Sequence, residues 1–144
     1  MALWGGRFDG GPSAEMQAFS QSLDTDLLMW REDIAGSMAH VTMLGEVGVL
    51  TADEAASIRT GLEMVEADLE GGWVPDASLE DIHMAVETRL GEHIGALAGK
   101  LHTTSSRNDQ VATDVSLWLR ARIDELDESL ERLIRAICDR VEAD

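Results

Sequence analysis

The sequence predicts an all-α protein: a small helical N-terminal domain followed by the first long helix of a central helical bundle. Three observations predict it. Tyrosine is absent and runs of β-branched residues are scarce, whereas strands favour both. Apolar residues recur every three or four positions through most of the chain, the period of a helix with one buried face. The segments carrying that period open on residues that cap helices, and several close on glycine.

The 144 residues are 44% apolar and 27% charged, which suits one compact unit or a piece of a larger one and excludes a disordered or fibrous chain. Eleven Lys and Arg stand against 28 Asp and Glu, a net charge of -17. Such a field repels phosphate backbones and anionic membranes, so neither nucleic acid nor a membrane is expected as partner. An anionic ligand would need a local cluster of donors working against that field. The single cysteine, Cys138, excludes an internal disulfide framework or a multi-Cys zinc site and is expected as a core thiol. With no leader-like start and no 18-residue apolar window, a cytoplasmic protein is expected.

Residues 3–12 hold four glycines and a proline and read as an extended arm anchored by Trp4 and Phe8. Ser13 can cap a short helix reaching about Ser20. Asp24 or Thr25 can cap a second, with Leu27, Ile34, Met38, Val41 and Leu44 on its apolar face and an end near Gly48. Thr51 to Glu54 (TADE) is a capping box, in which hydroxyl and carboxylate each satisfy an orphaned backbone N–H. Ile58, Leu62, Val65 and Leu69 follow on one face, and Gly71 and Gly72 stop that helix. Ser78 to Asp81 (SLED) should start the next in the same way, with Ile82, Val86, Leu90 and Ile94 or Leu97 buried up to Gly99. A polar loop, Lys100 to Ser106, separates residues 1–105 from residues 106–144. From about Arg107 the pattern stays helical to Asp144, with Val111, Val115, Leu119, Ile123, Leu126, Leu130, Leu133, Ile137 and Val141 stepping by four or three. No earlier helix is long enough to cover this seam, so partner helices are expected from further chain or other subunits, and the sequence reads as cut within the helix.

Lys100 to Gln110 (KLHTTSSRNDQ) carries the densest chemistry. A loop of hydroxyls, histidine and cations running onto a helix start can cradle an anion, with Arg107 forking onto a carboxylate and Asn108 and Ser105 or Ser106 adding neutral donors. Equally, Ser106 and Asp109 can simply cap the helix while Arg107 pairs with a surface acid. His83 and Glu87 share a helical face at metal-ligand spacing but lack a third ligand, so no metal is expected. Asp81 and His83 can form a carboxylate and imidazole pair. Met29, Met38, Met43 and Met64 read as core filler.

Three segments, LWGGRF at 3–8, EDIH at 80–83 and above all GKLHTTSSRNDQVATD at 99–114, resemble the argininosuccinate lyase family of the fumarase and aspartase superfamily. The resemblance spans essentially the whole chain. It implies an all-helical homotetramer that eliminates an amine from a succinyl group, with no cofactor, and takes argininosuccinate as its small anionic substrate. SRNDQ at 106–110 is similar to the first of three signature segments that meet, from three subunits, at each active site. Carried over by position, Ser22, Arg107 and Asn108 would hold the substrate carboxylates, with His102, Thr103 and Ser106 beside them. Where the family usually reads glycine then arginine, this chain has Thr104 and Ser105. The second signature, with its threonine and histidine, and the third, a serine loop that supplies the base, would lie beyond Asp144. The chain alone is therefore expected to be inactive.

Overall fold

The computed structural model describes residues 13–143, and the predicted arm with Trp4 and Phe8 lies outside them. The protein is all-α, and the described residues form six α-helices: α1 (Ala14–Ser20), α2 (Leu23–Asp26), α3 (Trp30–Glu46), α4 (Ala52–Glu70), α5 (Ile82–Ile94) and α6 (Arg107–Ala143). Short 3₁₀ turns, Leu27–Met29 and Gly95–Lys100, lead into α3 and out of α5.

Local chemistry sets the helix ends. Ser13 accepts from Met16 N at 3.2 Å. At Thr51 the capping box is complete: Glu54 N donates to Thr51 Oγ1 at 3.2 Å, and Thr51 N donates to Glu54 Oε2 at 3.0 Å. Gly48 and Gly72 adopt φ of 75° and 89°, the left-handed conformation that lets the chain turn away after α3 and α4. Two predicted starts shift. Neither Asp24 nor Thr25 caps the second helix, because α2 begins at Leu23 and the 3₁₀ turn intervenes before Trp30. Ser78 is not a cap either. Asp81 itself accepts from Met84 N at 2.6 Å, so α5 starts three residues later, and it stops at Ile94 rather than Gly99 because Gly95 turns to a φ of 66°.

The core lies between α3, α4 and α5. Ile34, Val41 and Leu44 of α3 meet Ile58, Leu62 and Val65 of α4 and Ile82, Val86 and Leu90 of α5, each worth roughly 1.5–3 kcal/mol on leaving water. Leu27, Met38, Leu69, Ile94 and Leu97 pack partly buried against this cluster. A Cβ at Gly61 would fall 2.6 Å from Leu90 Cδ1 and 2.9 Å from Ile94 Cγ2, so the missing side chain is what lets α4 lie this close to α5. Asp68 of α4 ties the pair again, accepting from Arg89 Nε and His93 Nε2, each at 2.7 Å. Arg89 first, then His93, hold that carboxyl below the usual carboxylate range.

The structure departs from the sequence expectation in two further respects. Met29 is buried and Met38 half-buried, but Met43 and Met64 face solvent. Cys138 is exposed, on a stretch of α6 that no other element covers among the described residues. Asp114 is the one buried residue of α6, and Val115, Leu119, Ile123, Leu126, Leu130, Leu133, Ile137 and Val141 are all exposed. No helix among the described residues is long and apolar enough to cross a membrane.

Candidate active site

The SSRNDQ loop delivers the chain onto the first turns of α6, where that helix crosses α3 and α5. Ser106 Oγ accepts from Asn108 N at 3.2 Å, so Ser106 does cap the helix. Asp109 does not, and its side chain instead lines a cavity. Residues Arg107, Gln110 and Asp114 step by three and four along one face of α6. His83 and Glu87 step by four along the facing side of α5.

Arg107 stands between these faces. Its Nη1 donates to Gln110 Oε1 at 2.8 Å and lies 3.2 Å from Glu87 Oε1, while its Nε is 3.7 Å from Asp81 Oδ2. These partly buried acids replace the surface acid expected for Arg107. Glu87 also lies 3.8 Å from His102 Nδ1. Among the described residues, the Arg107 contacts fall on Nε and Nη1, so Nη2 with the loosely held Nε makes the fork an incoming carboxylate would meet. Lys100 does not join the cradle, since its ammonium pairs with Glu54.

Behind the loop a cavity of about 160 Å³ opens, lined by Gly36, Ser37 and His40 of α3, Glu87 of α5, Leu101, His102 and Ser105 of the loop, and Asp109, Gln110, Thr113 and Asp114 of α6. The remaining expected residues sit around it in different ways. Thr103 carries a carbonyl that accepts from His40 Nε2 at 3.0 Å, pinning the loop to α3. Asn108 is exposed at the helix start. Ser22 is exposed; its Oγ donates to Asp26, and its N donates to Glu80 O at 2.9 Å. That last bond stitches Ser22 to the segment ending in Asp81, the Arg107 partner.

His83 and Glu87 do not converge on a common ion. Glu87 turns to Arg107, whereas His83 turns inward, where its Nδ1 lies 2.8 Å from Asp33 Oδ1 and 3.4 Å from Asp114 Oδ2. The carboxylate paired with His83 is thus Asp33 of α3 and not Asp81, which caps α5. Asp33, His83 and Asp114 are all at most 1% exposed. Together they place one ligand atom each within 4.8 Å of one another, a donor set that can be tested for a metal. The 2.8 Å contact is a direct hydrogen bond, shorter than the roughly 3.4 Å between two ligands of a tetrahedral zinc.

Burial opposes the charged form of His83, but the hydrogen bond and charge of Asp33, with Asp81 adding, outweigh burial and the Arg107 charge and raise its pKa. Burial first, and then the Asp33 charge, push Asp114 up to about 7 against the pull of His83. Both oxygens of Asp114 and Oδ2 of Asp33 have no hydrogen-bond partner. A proton kept on Asp114 turns one of these acceptors into a donor.

Residues 6–144 match the lyase family. The chain belongs to that family. It is also 49% identical over 142 residues to an argininosuccinate lyase of Maricaulis maris (strain MCS10), which covers 98% of this chain and 30% of the relative. The chain of this lyase-family protein therefore spans about 30% of the length of the curated relative it matches.

Thr104 has φ 61°, a left-handed conformation in which a β-branched side chain is strained. Thr104→Gly should therefore stabilise the chain by about 1 kcal/mol, visible as a raised thermal midpoint. A lowered midpoint would show that the threonine side chain contributes more than the turn costs it.

Proposed function

We propose that this chain is the amino-terminal segment of a cytoplasmic argininosuccinate lyase, with residues 1–105 as a helical domain and 106–144 as the start of the central bundle. In the proposed reaction a base removes a proton from the carbon next to one carboxylate of the succinyl group. The C–N bond then breaks, the electron pair goes to the departing guanidinium nitrogen, and an acid protonates it, releasing fumarate and arginine. Arg107 and Asn108, with Ser22, Ser106, Thr103 and His102, hold the substrate carboxylates. Their donors stabilise the charge that builds on the carboxylate next to the carbanion. The acid and base come from other segments, and no cofactor is needed.

The observation that carries this reading is the Arg107 fork, set by three side-chain contacts at the start of α6 beside a cavity edged by His102 and Ser105. The exposed seam of α6 supports assembly through matching helices of other copies, as a homotetramer. The test is a chimera in which residues 1–144 replace the matching segment of the Maricaulis maris relative. Argininosuccinate should give fumarate with the chimera and none above background with the 144-residue chain alone. A chimera that assembles but releases no fumarate would favour a second reading, a non-catalytic assembly module, which the same seam also supports.

A further inference from the structure

Arg107 is held from behind by a chain of side chains that runs from Gln110, at the cavity wall, into the buried junction of three helices. Gln110 accepts from Arg107 Nη1 through Oε1 at 2.8 Å and donates through Nε2 to Asp33 Oδ1. That same oxygen accepts from His83 Nδ1 at 2.8 Å, and Asp114 closes the cluster 3.4 Å from the imidazole. Three helices thus contribute to one chain of contacts: Asp33 from α3, His83 from α5, and Gln110, Asp114 and Arg107 from α6. Because Arg107 can only donate, the Gln110 carbonyl faces it and the amide nitrogen is left to donate inward to Asp33 Oδ1.

The cluster is a costly way merely to hold three helices together. It buries an imidazole and two carboxyl groups, each at most 1% exposed, and apolar residues of similar volume would hold such a junction at least as well. We propose that Gln110, anchored by the buried Asp33, His83 and Asp114, is the positioning residue that aims Arg107 at the substrate carboxylate. This rests on the reading of Arg107 as a substrate-binding residue. Charged groups facing the cluster are Asp33 and Glu32 from α3, Asp81 at the cap of α5, and Arg107 and Asp114 from α6. Glu87 of α5 flanks Arg107.

The test uses the chimera described above, with argininosuccinate as substrate and Gln110→Met as the probe, an exchange of similar size that loses both amide contacts. Losing one charge-assisted hydrogen bond should raise KM about tenfold. In an Arg107→Ala background the same exchange should change KM no further, because Gln110 acts only through Arg107. An equal KM change with and without Arg107 would overturn the proposal, as would no change in either. If Arg107→Ala itself leaves KM unaltered, the substrate-binding reading of Arg107 falls, which is a separate result. Should Gln110→Met fail to fold, the unsubstituted 144-residue chain decides. Gln110 side-chain amide protons should exchange with solvent far more slowly than those of the exposed Gln17, and equal rates would refute the anchoring.

Discussion

Arg107→Lys in the chimera should lower kcat/KM for argininosuccinate by roughly a hundredfold or more while leaving the fold intact. A guanidinium can meet Gln110 and Glu87 through Nη1 and still present a second edge to a carboxylate. A lysine ammonium is a single point with no such edge, so it must choose between the acids of α5 and the substrate. In the acidic field of this chain, Glu87 and Asp81 would win it. Steady-state fumarate release is the measurement, and turnover within a fewfold of the parent would remove Arg107 from the site.

The buried cluster should make the chain less stable as pH rises, opposite to the usual behaviour of paired surface carboxylates. Asp114 keeps its proton to about pH 7 in the folded chain, against about 3.9 for an ordinary aspartate. Between those values the unfolded chain gives up a proton that the folded chain retains. The contribution is whole below the ordinary carboxylate range and drains away as pH climbs to about 7. His83 acts in the same sense: its raised folded pKa gives stability below the ordinary histidine value that is lost as pH rises through the folded value. Thermal midpoints should fall from about pH 5 to about pH 8, by the equivalent of about 2 kcal/mol. Asp114→Asn should flatten that slope. His83→Ala, which leaves two buried carboxyl groups facing each other, should cost about 3–5 kcal/mol at neutral pH. A midpoint that rises over this range would refute the account.

Much of the fold was legible because its signals are local. The TADE box and the stripe from Ile58 to Leu69 need only neighbouring residues to be read, and both stand where the sequence put them. The start of α5 was harder: SLED offers two caps three residues apart, and only packing chooses Asp81. Arg107 and its loop were legible as donors at a helix start. Their acidic partners were not, since nothing local assigns Glu87 or Asp81 to Arg107 until α6 is laid against α5.

Asp33 was the hardest to see. It keeps the spacing of the buried stripe, with Ser37, Val41 and Leu44 at later steps, yet an acid in the first turn of a helix is also what the macrodipole favours. Asp114 did leave a trace in the Arg107, Gln110, Asp114 spacing, but a face of polar residues at a helix start reads first as solvated. Neither acid could be assigned to His83 without knowing which helices cross. Gly36 adds a related point, because a Cβ there would come within 3.2 Å of Asp114 Oδ1. The small residue makes room for a carboxyl group that lies 78 positions further along the chain.

The uneven burial of α6 divides the molecule by the kind of contact that orders it. Helices α3 to α5 and the root of α6 hold one another through contacts made within the chain. Among the described residues, the stretch from Val115 onward, about 40 Å of helix, has almost no such support and depends on its own hydrogen bonds and on i,i+4 ion pairs such as Arg135 with Glu131 at 2.6 Å, each worth only tenths of a kcal/mol. Amide exchange should therefore report two populations, slow in the root and fast in the outer turns. Whatever covers that face would add its binding energy to the outer turns alone, so their order would rise with partner concentration while the pocket end stayed unchanged.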